Sequence, residues 1–331
     1  MTVRESITAD VEFSMRSLPH FAILRLPVSM SDEDECRWFL PTKKGLFDGA
    51  FELMFHPSGK NFTNQPQTTT TKARHKKNVE LAIERIKKGE LEKVVLARVK
   101  RVKRKKDLVL GKTFDDLCRQ HPNSLIHCLK HPEYGTWMGV SPELLLLKKG
   151  NTYRTVSLAG TQPAGTGRRK SSKKIEWDEK LLHEQKLVTD FITSALKKKG
   201  VNKISVAETA EVKSGAMVHL KTEIEFTTSL GEKSLLKILH PTPAVCGLPR
   251  NAAKKFILKN EQHQRRLYTG YLGITNKKTR EALYFVNLRC MQVFDNHFEL
   301  HVGGGITAAS NPDKEWAETE LKAGTLLNVL M

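Results

Sequence analysis

His301-Val302-Gly303-Gly304-Gly305-Ile306-Thr307, followed by Ser310-Asn311-Pro312-Asp313-Lys314-Glu315-Trp316-Ala317-Glu318, is the stretch on which the reading of this chain turns. Its pattern predicts a strand over Phe298 to Val302, three glycines with a short turn, and a helix over Asn311 to Leu330. Glycine lets a ligand touch backbone N–H groups directly. Ser310 or Asn311 can cap the helix, and Pro312 suits its first turn. Glu315, Glu318 and Lys322 recur at i, i+3, i+7 and share one helix face. Anion-binding backbone beside paired carboxylates suits a divalent metal that holds an anionic substrate. A tight turn before a solvated helix fits the same residues equally well.

Working outward, Tyr271 to Thr275 and Ala282 to Val293 read as strands before that segment. Further strands are predicted over His20 to Val28, Leu46 to Phe55 (broken by Gly49), Lys93 to Val99, and Met217 to Thr228. Trp137 to Lys148 and Thr152 to Ala159 form a strand pair around Gly150-Asn151. Helical spacing covers Asn78 to Lys88, Trp177 to Lys197, Leu235 to Leu239 and Asn251 to Leu267. Strands succeed one another in hairpin fashion without strict strand–helix alternation. The fold class is therefore α+β, a largely antiparallel sheet covered by helices rather than a Rossmann fold. Residues 61–75 are polar and aperiodic, a linker between a short N-terminal region (1–75) and the rest (76–331).

The 331 residues are 39% hydrophobic, which permits a sizeable core, and no apolar run is long enough to span a membrane. The N-terminus lacks the pattern of a secretory signal. Five scattered cysteines, none in a C-x-x-C pair, suggest neither zinc nor a disulfide framework, and a reducing cytoplasm fits best. The net charge of +19 comes heavily from Val99 to Lys106 and from Arg168-Arg169-Lys170 with Lys173-Lys174. That raises nucleic acid as a partner. Zinc-finger spacing and an aromatic RNA-binding signature are both missing, and aromatics make up only 7%. A solvated basic surface, which would also draw in small anions, is the preferred reading.

Some charges stand where apolar residues are expected. Alternation puts Lys93, Val95 and Ala97 on one strand face. Lys93 is either a strand-end lysine reaching solvent or a buried amine available as a base. Glu184 falls in the stripe Leu181, Glu184, Val188, Phe191, Ala195, where a carboxylate must be paired, protonated or metal-bound. Glu143 precedes an apolar run; it is a turn residue after Pro142 or an acid of raised pKa. His240 ends a short helix, as a cap on its carbonyls or as an imidazole aimed by Pro241 and Pro243. Arg289, in a predicted apolar strand, needs an anionic partner, either a structural carboxylate or a substrate.

In this order the pieces resemble the chorismate-utilising enzymes, most closely their isochorismate synthase branch. The resemblance runs from about Lys76 to the C-terminus. It rests on Lys93-Val94-Val95-Leu96-Ala97-Arg98, Gly139-Val140-Ser141-Pro142-Glu143, Leu158-Ala159-Gly160-Thr161, His183-Glu184-Gln185, Val218-His219-Leu220-Lys221-Thr222, Leu239-His240-Pro241-Thr242-Pro243-Ala244 and Gly303-Gly304-Gly305-Ile306. It implies one domain over 1–331, with large, mainly antiparallel sheets stacked in a two-layer core and helices outside. It implies Mg²⁺ as cofactor and chorismate as substrate. By that resemblance Lys93 matches the base that activates water and Glu143 the acid that protonates the departing hydroxyl. Glu184 and Glu318 match the Mg²⁺ ligands, with Glu315 close by. Arg289 and the backbone of Gly303, Gly304 and Gly305 match carboxylate-binding groups, and Lys322 the nearby cation. Gly160, His240, Ala244 and Tyr268 match positions around the ring.

The resemblance also separates this chain from its amine-transferring relatives. Anthranilate-type enzymes carry glutamine where Lys93 stands, and aminodeoxychorismate-type enzymes a nucleophilic lysine where Ala159 stands. Salicylate synthases share both residues and add pyruvate elimination, so they are the nearest rival; a nucleic-acid-binding protein on the same fold is a more distant one. Leu181, Arg266 and Gly304 depart from the family pattern without removing a catalytic group. The expectation is an isomerase of menaquinone or siderophore biosynthesis, monomer or dimer.

Overall fold

The computed structural model describes residues 20–30, 36–42, 45–48, 50–58, 64–163, 177–214 and 217–331, with Val11, Met15 and Leu18. The basic run at 168–174 lies outside the described residues. Strands Phe21–Arg25 (β1), Cys36–Thr42 (β2), Gly45–Asp48 (β3) and Phe51–His56 (β4) precede helix Lys72–Lys87 (α1), strand Lys93–Lys103 (β5) and helix Leu110–Gln120 (α2). Strands Leu125–His131 (β6), Gly135–Ser141 (β7), Leu144–Lys149 (β8) and Thr152–Pro163 (β9) lead to helix Glu179–Lys197 (α3). Next come Lys203–Val206 (β10), Ala210–Ser214 (β11), Met217–Thr227 (β12), helix Glu232–Leu239 (α4), Gly247–Leu248 (β13) and helix Arg250–Asn260 (α5). Tyr271–Asn276 (β14), Glu281–Val286 (β15), Cys290–Val293 (β16), His297–Ile306 (β17) and helix Pro312–Leu330 (α6) close the chain.

The strands form two antiparallel sheets. One runs β2–β1–β6–β7–β16–β17–β5–β13. The other runs from β10 and β11, which share one edge of β12, through β9–β8–β15–β14–β4–β3 to β2, the strand common to both. The sheets stack because their strands are apolar on both faces. In β1, Phe21 and Ile23 join a cluster with Phe114 and Leu326 of α2 and α6. Ala22 and Leu24 turn instead into the layer between the sheets, with Leu272 and Phe285 of the second sheet. On that sheet's outer face, Val188 and Ile192 of α3 and Leu235 of α4 cover Leu146 and Tyr284. A two-layer sheet core with helices outside is thus the α+β arrangement expected. The N-terminal strands are built into it, β1 pairing with β6 and β4 with β14.

Several predicted elements shift for identifiable reasons. Helix α1 starts at Lys72, inside the predicted linker, because the Thr71 hydroxyl caps it by accepting from Arg74 N. The segment 137–148 is two strands, since Pro142 breaks the ladder and leaves Glu143 between β7 and β8. Helix α5 stops at Asn260, because Glu261 leaves helical geometry and turns its carboxylate to the amide of Ala97 and to Arg265. The segment 282–293 is also broken, and Arg289 sits in the break with φ of 44°, not within a strand. Helix α2 and strand β6 were not foreseen. Five of the eight residues of the basic run Val99 to Lys106 lie in β5, where Arg98 and Lys100 pair with Glu320 and Arg101 with Glu299. Among the described residues no helix is long and apolar enough to cross a membrane, and Cys246 and Cys290 are free, buried thiols.

Candidate active site

The three glycines prolong β17 instead of ending it: Gly303, Gly304 and Gly305 pair with Ala97, Leu96 and Val95 of β5. Val95 gives its amide to Cys246 O and Ala97 gives its amide to Glu261 Oε1, so both turn away from β17. In an antiparallel ladder their partners Gly305 and Gly303 must then turn their own amides away from β5. Strand β16 pairs only as far as His301, so this edge is open, and Lys322 Nζ reaches Gly303 O at 3.0 Å. The edge bounds a cavity of about 80 Å³ lined also by Glu143, Gly160, Ala244, Tyr268, Arg289, Glu184, Glu318 and Lys322.

Helix α3 brings Glu184 and helix α6 brings Glu315 and Glu318. The buried stripe of α3 is Gln185, Val188, Ile192 and Leu196, so Glu184 stands at its edge rather than inside it. Gln185 fixes the helix by accepting from Ala159 N and donating to Ser157 O and Thr222 Oγ1. Helix α6 is capped by Asn311, which accepts from Asp313 N and Lys314 N.

Each carboxylate meets one ammonium. Lys93 Nζ lies 2.7 Å from Glu184 Oε1, Lys180 Nζ 2.6 Å from Glu315 Oε1, and Lys322 Nζ 2.6 Å from Glu318 Oε1. Lys93 is 0% exposed, its contact with Glu184 is poorly aligned for a hydrogen bond, and it has no other partner among the described residues. Burial alone would raise the Glu184 carboxyl, but Lys93, Lys322 and Lys180 together hold it below its ordinary value. Burial does raise the Glu315 carboxyl, despite Lys180.

Glu143 is placed differently. It is buried, accepts from the Thr242 hydroxyl at 3.4 Å, and burial pushes its carboxyl up to about 8 against the weaker pull of Thr242 and Lys93. It is therefore protonated at neutral pH and able to donate. Arg289 is buried and bonds to His219 Nε2; burial lowers its guanidinium to about 10. His219, held neutral by burial and by Arg289, turns Nδ1 to Thr161 Oγ1 at 3.0 Å. Gly160 has φ of 64° where the β9–β12 register shifts, a bulge that exposes the backbone at the cavity wall.

Thus Glu143, Gly160, Ala244, Tyr268, Arg289, the glycine edge, Glu184, Glu318 and Lys322 share one cavity. Lys93 stands against its wall behind Gly305, and Glu315 stands beside Gly304. His240 is the exception. Its Nε2 donates to Thr269 O at 2.8 Å and its ring packs edge-on to His56 and Tyr271, so it lines a separate cavity. The sequence reading passed over Lys180, His219 and Thr242, although the last two lie inside quoted motifs and Lys180 is one turn before Glu184.

Whether the acidic residues fit a magnesium ion can be judged from their oxygens. Among the described residues no three His, Cys, Asp or Glu side chains make a metal site unaided. Glu315 Oε2, however, is buried without a hydrogen-bond partner. It and Glu318 Oε1 stand 3.5 and 3.6 Å from the point where a Gly304 Cβ would be. Two hard carboxylates at an anion-binding edge fit Mg²⁺, which takes one or two carboxylates and completes its shell with water and ligand oxygens.

The fold thus brings acidic and basic side chains together around one cavity with an open glycine strand edge. A family model described as chorismate binding enzyme matches residues 43–331, and the chain belongs to that family. It is 31% identical over 245 residues to isochorismate synthase EntC of Escherichia coli (strain K12), covering 72% of this chain and 62% of that protein. The chain therefore spans about three fifths of the length of this curated relative. Among solved structures, DhbC from Bacillus anthracis, a candidate 2,3-dihydroxybenzoate-specific isochorismate synthase, superposes with TM-score 0.72 at 27% identity, covering 99% of this chain and 88% of that one. MenF, the menaquinone-specific isochorismate synthase of Escherichia coli, gives TM-score 0.72 at 28% identity over 81% of this chain and 66% of that one.

Proposed function

We propose that this chain is an isochorismate synthase, adding water to the ring of chorismate with loss of the original hydroxyl. The observation that carries the reading is one cavity with Glu143, protonated at neutral pH, on its wall and the amine of Lys93 just behind its glycine edge. Arg289 and the Gly303 and Gly305 amides bind the substrate carboxylates, and Lys322 adds charge beside them. Tyr268 and Ala244 flank the ring. Lys93, in its neutral amine form, takes a proton from the attacking water and Glu143 gives one to the leaving oxygen, each contributing roughly 10²–10⁴ in rate. Glu184 and Glu318, with Glu315 alongside, would hold Mg²⁺, which when bound offsets the negative charge of a substrate carboxylate.

Ala159 offers no nucleophile, and its amide is already bonded to Gln185, which favours water as the attacking group. The free thiols of Cys246 and Cys290 suit a reducing compartment such as the cytoplasm. The test is to incubate the purified chain with chorismate and Mg²⁺ and resolve the products. Isochorismate without pyruvate is expected. Salicylate with equimolar pyruvate would move the reading to a salicylate synthase, and no turnover would remove it.

A further inference from the structure

Lys180 is the one ammonium of the three at this site to which the proposed reaction gives no task. Helix α3 carries it one turn before Glu184, and it is mostly buried, its side chain 18% exposed. Its Nζ donates to Glu315 Oε1 at 2.6 Å, while Glu315 Oε2 is buried without a hydrogen-bond partner and faces the Gly304 edge beside Glu318. One oxygen of Glu315 is therefore taken and the other is left bare. At Glu318, by contrast, Lys322 engages the same Oε1 that faces the Gly304 edge.

Divalent cations differ in what they ask of carboxylates. Ca²⁺ takes six to eight oxygens and commonly binds a carboxylate through both, whereas Mg²⁺ keeps several waters and is satisfied by single oxygens from one or two carboxylates. We propose that Lys180 is a positioning residue that restricts Glu315 to one metal-facing oxygen, and thereby makes the site select Mg²⁺ against Ca²⁺. This rests on the metal-assisted reading above but concerns metal choice, not the reaction. Removing the Lys180 charge would tighten both cations, and freeing the second Glu315 oxygen would favour Ca²⁺ further.

The experiment titrates Mg²⁺ and Ca²⁺, each against bound Mn²⁺ followed by electron paramagnetic resonance, into the full chain and its Lys180→Met, Lys180→Gln and Lys180→Arg variants. Thermal melts identify which variants are folded. Lys180→Met, or Lys180→Gln should the former not fold, is expected to shift the Ca²⁺/Mg²⁺ affinity ratio about tenfold towards Ca²⁺. Lys180→Arg, which still covers Glu315 Oε1, should keep the original ratio. An unchanged ratio in the neutral variants, or weaker binding of both ions, overturns the proposal while leaving the isochorismate synthase reading standing. Failure of the unmodified chain to bind any of the three ions removes this inference and the magnesium requirement together.

Discussion

Lys93 Nζ and Glu184 Oε1 approach to 2.7 Å in the space that Gly305 leaves open. A Cβ at position 305 would overlap Glu184 Oε1 and come within 2.9 Å of Lys93 Cε, whereas at position 304 it would meet nothing nearer than 3.5 Å. Gly305→Ala should therefore push the base and its carboxylate apart, lowering turnover by about 10²-fold or more and stability by about 1–3 kcal/mol. Gly304→Ala should leave both close to the original. Steady-state rates and melting temperatures of the two variants check the contrast; equal losses would mean that the Lys93–Glu184 pair is not what glycine protects.

Lys93→Gln should abolish hydration of chorismate, with a rate loss of roughly 10²–10⁴, while calorimetric binding of chorismate remains measurable. Lys93 is behind the wall and the carboxylate-binding groups are elsewhere on the cavity, so affinity and turnover ought to separate. Breaking a buried pair also leaves Glu184 less compensated, and the melting temperature should fall. Full activity in this variant would take Lys93 out of the mechanism.

Arg289→Lys should raise KM for chorismate roughly tenfold or more with a smaller change in kcat. The guanidinium is a planar fork that can satisfy His219 and a carboxylate at once, and a lysine ammonium is a single point charge. Kinetics over a range of chorismate concentrations separate the two parameters. A loss confined to kcat would place Arg289 in the chemical step instead.

Much of this was legible in the sequence because it follows from period and spacing. The shared face of Glu315, Glu318 and Lys322 and the cap at Asn311 follow from helix geometry alone. Strand-face alternation brought Lys93 and Val95 to the site side. What local pattern could not reach was the partner of each group. Glu184 looked like part of an apolar stripe because Leu181 and Phe191 are only half-buried, while the polar Gln185 is the residue α3 actually buries. The glycines looked like a turn, but pairing with β5 some two hundred residues away keeps them in strand. His240 looked substrate-facing until Thr269 O claimed its Nε2. Residues 261–267 continued a helical period, and only the distant Ala97 amide and Arg265 explain why Glu261 ends it.

The basic strand offers a different expectation. Arg98 is buried over the Trp316 ring at 3.9 Å and shares Glu320 with Lys100, so part of the conspicuous positive charge is already spoken for inside the fold. Duplex DNA or RNA should bind weakly, with affinity that falls steeply as salt rises and shows no sequence preference. Gel shifts at two salt concentrations check this. Tight binding that survives physiological salt would favour a nucleic-acid role.

Glu143 should set the alkaline limb of activity and tie it to stability. Its carboxyl has an ordinary value of 4.5 when the chain is unfolded and about 8 in the folded protein, raised by burial. Between these values folding must take up a proton that the unfolded chain has released, so the folded state loses stability as pH rises through this window, and the loss levels off above about pH 8. Glutamine never ionises. The melting temperature of Glu143→Gln should therefore gain on that of the original protein from about pH 4.5 to 8 and hold its lead above. The same proton is the one donated to the leaving hydroxyl, so kcat/KM should decline above about pH 8, and Glu143→Gln should lose roughly 10²–10⁴ in rate at every pH. Melts and initial rates across pH 5–9 test both halves on one pair of proteins. A constant difference in melting temperature would show that Glu143 ionises normally in the fold, and a surviving alkaline limb in the variant would assign that limb to another group.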